Sequence, residues 1–276
     1  MGESRCIISI LPDERSTHWI PPVENVGCRL SPHSLVLVAY ALNVTPHEIV
    51  HALTSYWLGF DSTVFQMWVN PDSAEATPSQ LAIIAILGPL SSLLVGAVCL
   101  VLYQGRFRDK PSGLAFLMMA MVGIYSFLGP LAGAALGGDF HLAFTFLQTS
   151  TTVAYLASAI GFILLPSFMY YIGRELLRWA PRNFGRVKAV ASSTFAPWFV
   201  GTFLLLLLYW QLPRFLVGST IGGSAFWAFA VLGAAPGYPS RPPAATISSF
   251  TRADFILAIA ALAMVRLLEH GVRLAH

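Results

Sequence analysis

An HExxH motif is the part of this sequence whose residue types and spacing suit chemistry: His47-Glu48-Ile49-Val50-His51. Residues four apart lie on one face of an α-helix, so both imidazoles can bind the same metal ion. Two histidines and a carboxylate suit zinc, whose fourth position then holds a water molecule with a pKa of about 7. Because Glu48 adjoins His47, its carboxylate can accept a proton from that water. The motif predicts one zinc ion per chain, with Glu48 as the catalytic base.

A third zinc ligand must come from another part of the chain, and acidic residues are scarce. Asp139 is the only Asp or Glu between residues 113 and 172. His141, two residues later, is the alternative third ligand, or a residue that orients one of the ligands. Asp139 as a solvated loop acid is the non-functional interpretation. The sequence therefore predicts a ligand set of His47, His51 and Asp139.

The motif lies in an apolar run, residues 34–58, that contains no Lys or Arg. A charged side chain at the centre of a membrane span costs about 2.5–3.5 kcal/mol unless it has a partner. A bound dication would offset the charge of Glu48, and a protonated, hydrogen-bonded Glu48 is the alternative. Asn43, Thr45 and Thr54 in the same run predict either a polar path for water or side chains hydrogen-bonded within the helix.

The composition indicates that the elements carrying these residues lie in a membrane. Hydrophobic residues make up 56% of the 276 residues and charged residues 11%, whereas soluble domains carry about 25% charged residues. So few charges cannot cover a soluble surface, and so much apolar surface excludes a disordered chain. The net charge of +3 comes from basic residues placed between the apolar runs. We expect a lipid bilayer as the surroundings and no nucleic-acid partner.

The apolar runs predict an all-α fold, a polytopic bundle of about six or seven transmembrane helices. A long run over residues 141–172 forms either one tilted helix or a short half-helix leading into a span. Gly129, Gly133 and Gly137 recur every four residues and predict a face for close helix packing. The other predicted spans cover residues 34–58, 81–103, 113–136, 189–211, 215–235 and 255–268.

The distribution of basic residues predicts an orientation in the membrane. The loop after the second span contains Arg106, Arg108 and Lys110, and residues 173–188 add five more basic residues. The loop over residues 60–80 contains no Lys or Arg. By the positive-inside rule, the basic loops and the N-terminus are cytoplasmic in a multi-pass protein of the cell membrane. The first and third spans then both run outward, which allows HExxH and Asp139 to meet.

Three segments resemble the site-2 protease family of intramembrane zinc metalloproteases. They are HEIVHAL at residues 47–53, ILGPLSSLLVG at residues 86–96 and LGGDF at residues 136–140. The family carries HExxH on one core span, a Gly-Pro segment after it, and an Asp-Gly motif that supplies the third ligand. In this sequence the glycines precede the aspartate. The resemblance implies that His47, His51 and Asp139 bind zinc and that Glu48 activates water.

The resemblance covers about residues 34–146 and suggests the activity of the chain. Together with the basic residues and the apolar runs it predicts a cytoplasmic N-terminal segment (residues 1–32), a metalloprotease-like transmembrane core (33–172) and additional transmembrane helices (173–276). The leading hypothesis is a zinc metalloendopeptidase that cleaves a membrane protein or peptide in or near the bilayer. One alternative is a transporter or channel that uses the His and Asp side chains for metal or proton handling. The other is a scaffold whose HExxH motif has no activity.

Overall fold

A computed structural model describes residues 32–65, 69–71, 75–110, 112–179, 186–191, 227–234 and 271–275, with a few isolated positions after residue 198. Of the described residues, 79% are helical. The predicted N-terminal segment and most of the three predicted spans after residue 188 lie outside the described residues. The described helices are α1 (Pro32–Trp57), α2 (Pro78–Leu102), α3 (Gly113–Ala132), α4 (Asp139–Phe146), α5 (Thr151–Leu176), α6 (Arg186–Val190) and α7 (Trp227–Ala234).

Within the described residues, three helical segments are long and apolar enough to cross a membrane: Pro78–Phe107, Gly113–Ala132 and Thr151–Trp179. The first continues α2 through a π-helical turn, and the third continues α5 through a 3-10 turn. Helix α1 has 26 residues, as many as α5. It is not among the three because its polar motif residues lower its mean hydropathy. Helices that are long and apolar enough to cross a membrane are therefore the dominant feature of the described fold.

The long apolar run after residue 140 forms two helices rather than one. The eight-residue α4 ends at Phe146, and α5 begins at Thr151 after a short turn. Between them Gln148 adopts a positive φ of 50°, which breaks the helical path. Of the two alternatives that the sequence allows, the structure has the short helix that leads into a span. This break lets α4 turn back toward α2 while α5 packs on α3.

Helices α2 and α3 approach each other closely at a pair of glycines. A Cβ atom on Gly123 would lie 2.7 Å from the Cα atom of Gly96, so neither position has room for a side chain. Close packing of another helix at Gly129, Gly133 and Gly137, which the sequence predicts, is not found among the described residues. There a Cβ on Gly129 would meet only Tyr125 of its own helix at 3.9 Å, one on Gly133 would lie nearest to carbonyl oxygens of its own segment, and one on Gly137 would meet nothing within 4 Å. Three small residues at a spacing of four do not by themselves identify the partner face.

A small antiparallel sheet follows α1, in a part of the chain where the sequence predicts only a loop. Strand β1 (Ser62–Val64) lies between β2 (Val69–Pro71) and β3 (Val272–Leu274). An ion pair of 2.8 Å joins Asp61 to Arg273 beside the sheet. The sheet therefore fixes the chain after residue 271 next to the end of the motif helix.

A buried acid links the far ends of α2 and α5. The Glu175 carboxylate is 5% exposed and accepts hydrogen bonds from the Tyr103 hydroxyl at 2.8 Å and from Arg108 Nε at 3.1 Å. Arg178 lies one turn away and forms an ion pair of 2.6 Å with Asp109. Charged groups of both basic loops therefore meet at one end of the bundle.

We expect Glu175→Ala to destabilise the protein, because it leaves the buried Tyr103 hydroxyl and the Arg108 guanidinium without their acceptor. Removing one partner of a buried pair costs about 3–5 kcal/mol, and the partial exposure of Arg108 reduces our expectation to about 2 kcal/mol. Thermal unfolding in detergent measures the change. The matched control is Asp109→Asn, whose carboxylate is 72% exposed. Equal melting temperatures for wild type and Glu175→Ala would contradict the prediction.

Candidate metal centre

Helices α1 and α4 bring the three predicted ligands together. The Nε2 atoms of His47 and His51 are 3.1 Å apart. Asp139, the first residue of α4, places Oδ2 3.3 Å from His47 Nε2 and Oδ1 3.9 Å from His51 Nε2. One ligand atom from each residue lies within 4.8 Å of the others. Residues that are 88 to 92 positions apart in the sequence thus form one group of nitrogen and oxygen donors.

These separations fit a tetrahedral zinc ion. At zinc–ligand bonds of 2.0–2.1 Å, tetrahedral angles separate two ligand atoms by about 3.3–3.4 Å. The His47–His51 distance and the distance from His47 to Asp139 Oδ2 are close to this value. The distance from His51 to the other carboxylate oxygen, Oδ1, is about half an ångström longer, so a small shift of Asp139 would complete the tetrahedral geometry. Two imidazoles and one carboxylate also form the ligand set of zinc sites that keep one position open. The donor set therefore fits zinc.

The opposite nitrogen of each imidazole is already bound by α2, which leaves Nε2 for a metal. His51 Nδ1 lies 2.6 Å from the carbonyl oxygen of Ile84. A carbonyl only accepts, so Nδ1 carries the proton and Nε2 of the neutral ring presents a lone pair. His47 Nδ1 lies 3.0 Å from the Ser92 hydroxyl. Such outer contacts orient histidine ligands and raise their basicity.

Helix α2 supports the site through residues at a spacing of four: Ile84, Gly88 and Ser92. This spacing places all three on the face that packs against α1. Gly88 lies directly against the His51 ring, and a Cβ atom at that position would overlap the imidazole. A larger residue would therefore push His51 away from the other ligands. No sequence motif marks these three supporting residues. The only signal in the sequence is that residues 88 and 92 are small and four positions apart.

A glycine turn delivers Asp139 to the histidines. Gly138 has a φ of +90°, a conformation that L side chains rarely adopt, and it immediately precedes the first residue of α4. An acid in the first helical turn is stabilised by the helix dipole. Burial raises the pKa of Asp139, but the hydrogen bond from His47 and the nearby histidines outweigh it, so that pKa lies below its usual range. The carboxylate is therefore ionised and available as a ligand.

Glu48 is buried beside this group without a cation. Glu48 is 6% exposed, and its carboxylate lies close enough to that of Asp139 for the two negative charges to repel each other. Within the described residues, no Lys or Arg forms an ion pair with Glu48. Two acids share an apolar site with two imidazoles that are 8% and 5% exposed. A dication would balance both carboxylates.

The other predicted polar residues are placed differently. His141 Nδ1 lies 3.2 Å from the Ala134 carbonyl oxygen, and His141 is not part of the group that could hold a metal. The Thr54 hydroxyl donates to the Val50 carbonyl at 2.7 Å, within the helix. Asn43 is 2% exposed and has no hydrogen-bond partner. The geometry therefore favours Asp139 over His141 as the third ligand.

We predict about one zinc ion per chain in detergent-purified, metal-replete wild type. His51→Ala and Asp139→Ala each remove one of only three protein ligands, so both variants should lose the metal. His141→Ala is the matched control and should retain it. Elemental analysis of the purified proteins measures the stoichiometry. Zinc retained in Asp139→Ala but lost in His141→Ala would show that the third ligand is misassigned.

Gly88→Ala should lower zinc affinity although residue 88 is not a ligand. The added methyl group overlaps the His51 ring and shifts its Nε2 atom, and loss of ligand orientation typically costs 10–100-fold in affinity. Competition with a zinc-selective chelator measures the change. Gly129→Ala is the matched control, since its Cβ would meet only Tyr125 at 3.9 Å. Equal zinc affinity in both variants would contradict the predicted role of Gly88.

No protein-family model matches this chain, and neither the curated proteins nor the solved structures contain a significant match. The chemistry of the site is therefore the basis for inferring its function.

Proposed function

We propose that this protein is a membrane-embedded zinc metalloendopeptidase that hydrolyses peptide bonds in or near the bilayer. The observation that carries the proposal is the convergence of His47, His51 and Asp139, whose ligand atoms lie within 4.8 Å of one another. Glu48, which adjoins His47 in the sequence, is buried beside them and would serve as the general base. A site that only bound metal would not require this second acidic group.

The chain's residues can divide the work of hydrolysis. Zinc, when bound, supplies a Lewis acid for the scissile carbonyl and lowers the pKa of water in the site. His47, His51 and Asp139 would hold it, with the tautomer of His51 fixed by the Ile84 carbonyl and the ring of His47 oriented by the Ser92 hydroxyl. Glu48 takes a proton from the attacking water and passes it to the leaving amine, so that one peptide bond breaks and one water is consumed.

The membrane setting of the proposal is a multi-pass protein of the cell membrane with a cytoplasmic N-terminus. Three spanning candidates among the described residues and the apolar runs after residue 188 support a total of six or seven spans. The basic residues that meet around Glu175 would lie on the cytoplasmic side. The metal group lies at the other ends of α2 and α3, and its substrate would be a membrane protein or peptide.

Glu48→Gln should abolish cleavage while zinc stays bound. The amide has nearly the same shape as the carboxylate but cannot accept the proton, and loss of a general base costs about 10²–10⁴-fold in rate. The assay follows release of labelled peptides from fluorescein-labelled casein by the detergent-purified protein, with and without a chelator. Glu75→Gln, the same change at an exposed position, is the matched control.

The outcomes of this experiment separate the function classes. Chelator-sensitive cleavage that Glu48→Gln removes supports the peptidase. Zinc binding without cleavage, together with zinc or proton flux in proteoliposomes, would favour a transporter instead. Equal cleavage by wild type and Glu48→Gln would show that a contaminating protease, or another base, is responsible.

A further inference from the structure

One buried polar side chain on the motif helix has no hydrogen-bond partner among the described residues. Asn43 is 2% exposed, and both its Nδ2 and its Oδ1 lack a hydrogen-bond partner. An unpaired buried donor or acceptor costs about 1–3 kcal/mol, and such groups are rare in folded proteins. A carboxamide with both atoms unpaired therefore indicates a ligand that supplies one donor and one acceptor.

The position of Asn43 points to the metal group. It lies four residues before His47 and eight before His51 on α1, so all three share one helix face. Four residues correspond to a rise of about 6 Å, which is nearly the span of two consecutive peptide units. A substrate chain bound beside His47 and His51 could therefore extend past Asn43.

Other polar residues of α1 do not share this property. The Thr54 hydroxyl donates to the Val50 carbonyl at 2.7 Å, and the Ser55 hydroxyl donates to the Phe60 carbonyl at 3.3 Å. Both are buried, and both satisfy their hydrogen bonds locally. Asn43 alone among these three leaves its polar atoms available.

A substrate cleaved within the bilayer has the complementary requirement. Its backbone must leave the helical conformation around the scissile bond, which frees peptide N–H and C=O groups in surroundings without water. A carboxamide donates through Nδ2 and accepts through Oδ1, so it pairs with a peptide group in both directions. We propose that Asn43 binds a main-chain peptide group of the substrate next to the scissile bond. This inference rests on the proposed peptidase function.

The test compares two inhibitors on cobalt-substituted protein, in which visible absorption reports ligand binding at the metal. Acetohydroxamate carries only the metal-binding group, whereas N-acetyl-leucyl-leucine hydroxamate adds peptide groups. We expect Asn43→Leu to raise the Kd of the peptidyl hydroxamate at least tenfold and to leave that of acetohydroxamate unchanged. Asn43→Ala should behave alike and serves if the leucine variant fails to fold. Thr54→Val, a buried polar residue already satisfied within α1, is the matched control.

Each result decides the inference. A selective loss of peptidyl hydroxamate affinity in the Asn43 variants supports it. Unchanged affinity for both inhibitors overturns the inference. An equal loss of affinity for both also overturns it, because Asn43 would then act on the metal ligands and not on the peptide groups. A wild type that binds neither cobalt nor acetohydroxamate would instead refute the proposed function, and the inference would fall with it.

Discussion

The fold around the site depends on one electrostatic constraint, the placement of two acids and two imidazoles in apolar surroundings. Glu48 and Asp139 repel each other, and no Lys or Arg among the described residues pairs with either. The Nε2 atoms of His47 and His51, 3.1 Å apart, lie next to the Asp139 carboxylate. Burial of two carboxylates is unfavourable unless positive charge accompanies them. A bound cation would therefore stabilise the packing of these helices.

The need to hold two imidazoles beside these acids accounts for the residues on the face of α2 that packs against α1. Its inner face must supply an acceptor for His51 at Ile84, a polar partner for His47 at Ser92, and space for an imidazole at Gly88. The three α2 residues are spaced by four, like His47 and His51 on α1, because residues four apart lie on the same face of a helix. Tyr103, directly after the end of α2, lies about 22 Å from Gly88 along the helix axis, at a rise of 1.5 Å per residue. There its hydroxyl donates to Glu175, so the candidate metal ligands and the basic groups around Glu175 are well separated along α2.

The sequence predicted which residues lie together at the candidate site better than it predicted the residues that support them. His47 and His51 share a face by helical spacing, and Asp139 stood out because acids are scarce in apolar runs. Gly88 and Ser92 act through a neighbouring helix, and nothing in a single sequence fixes which faces meet. For the same reason, the sequence predicted close helix packing at Gly129, which the described residues do not show. Strand β3 could not be predicted, because Leu274 pairs with Ser62, a residue 212 positions earlier, and each strand has only three residues.

A site of this kind raises the question of how peptide can bind where water is scarce. Helical substrates satisfy their own backbone and present no free groups, so hydrolysis must follow local unwinding. Unwinding is unfavourable in an apolar environment unless the protein offers replacement hydrogen bonds. An already unsatisfied carboxamide, such as that of Asn43, offers them without losing any bond of its own, whereas Thr54 would first have to release the Val50 carbonyl. The unpaired state of Asn43 thus lowers the cost of unwinding beside the metal ligands.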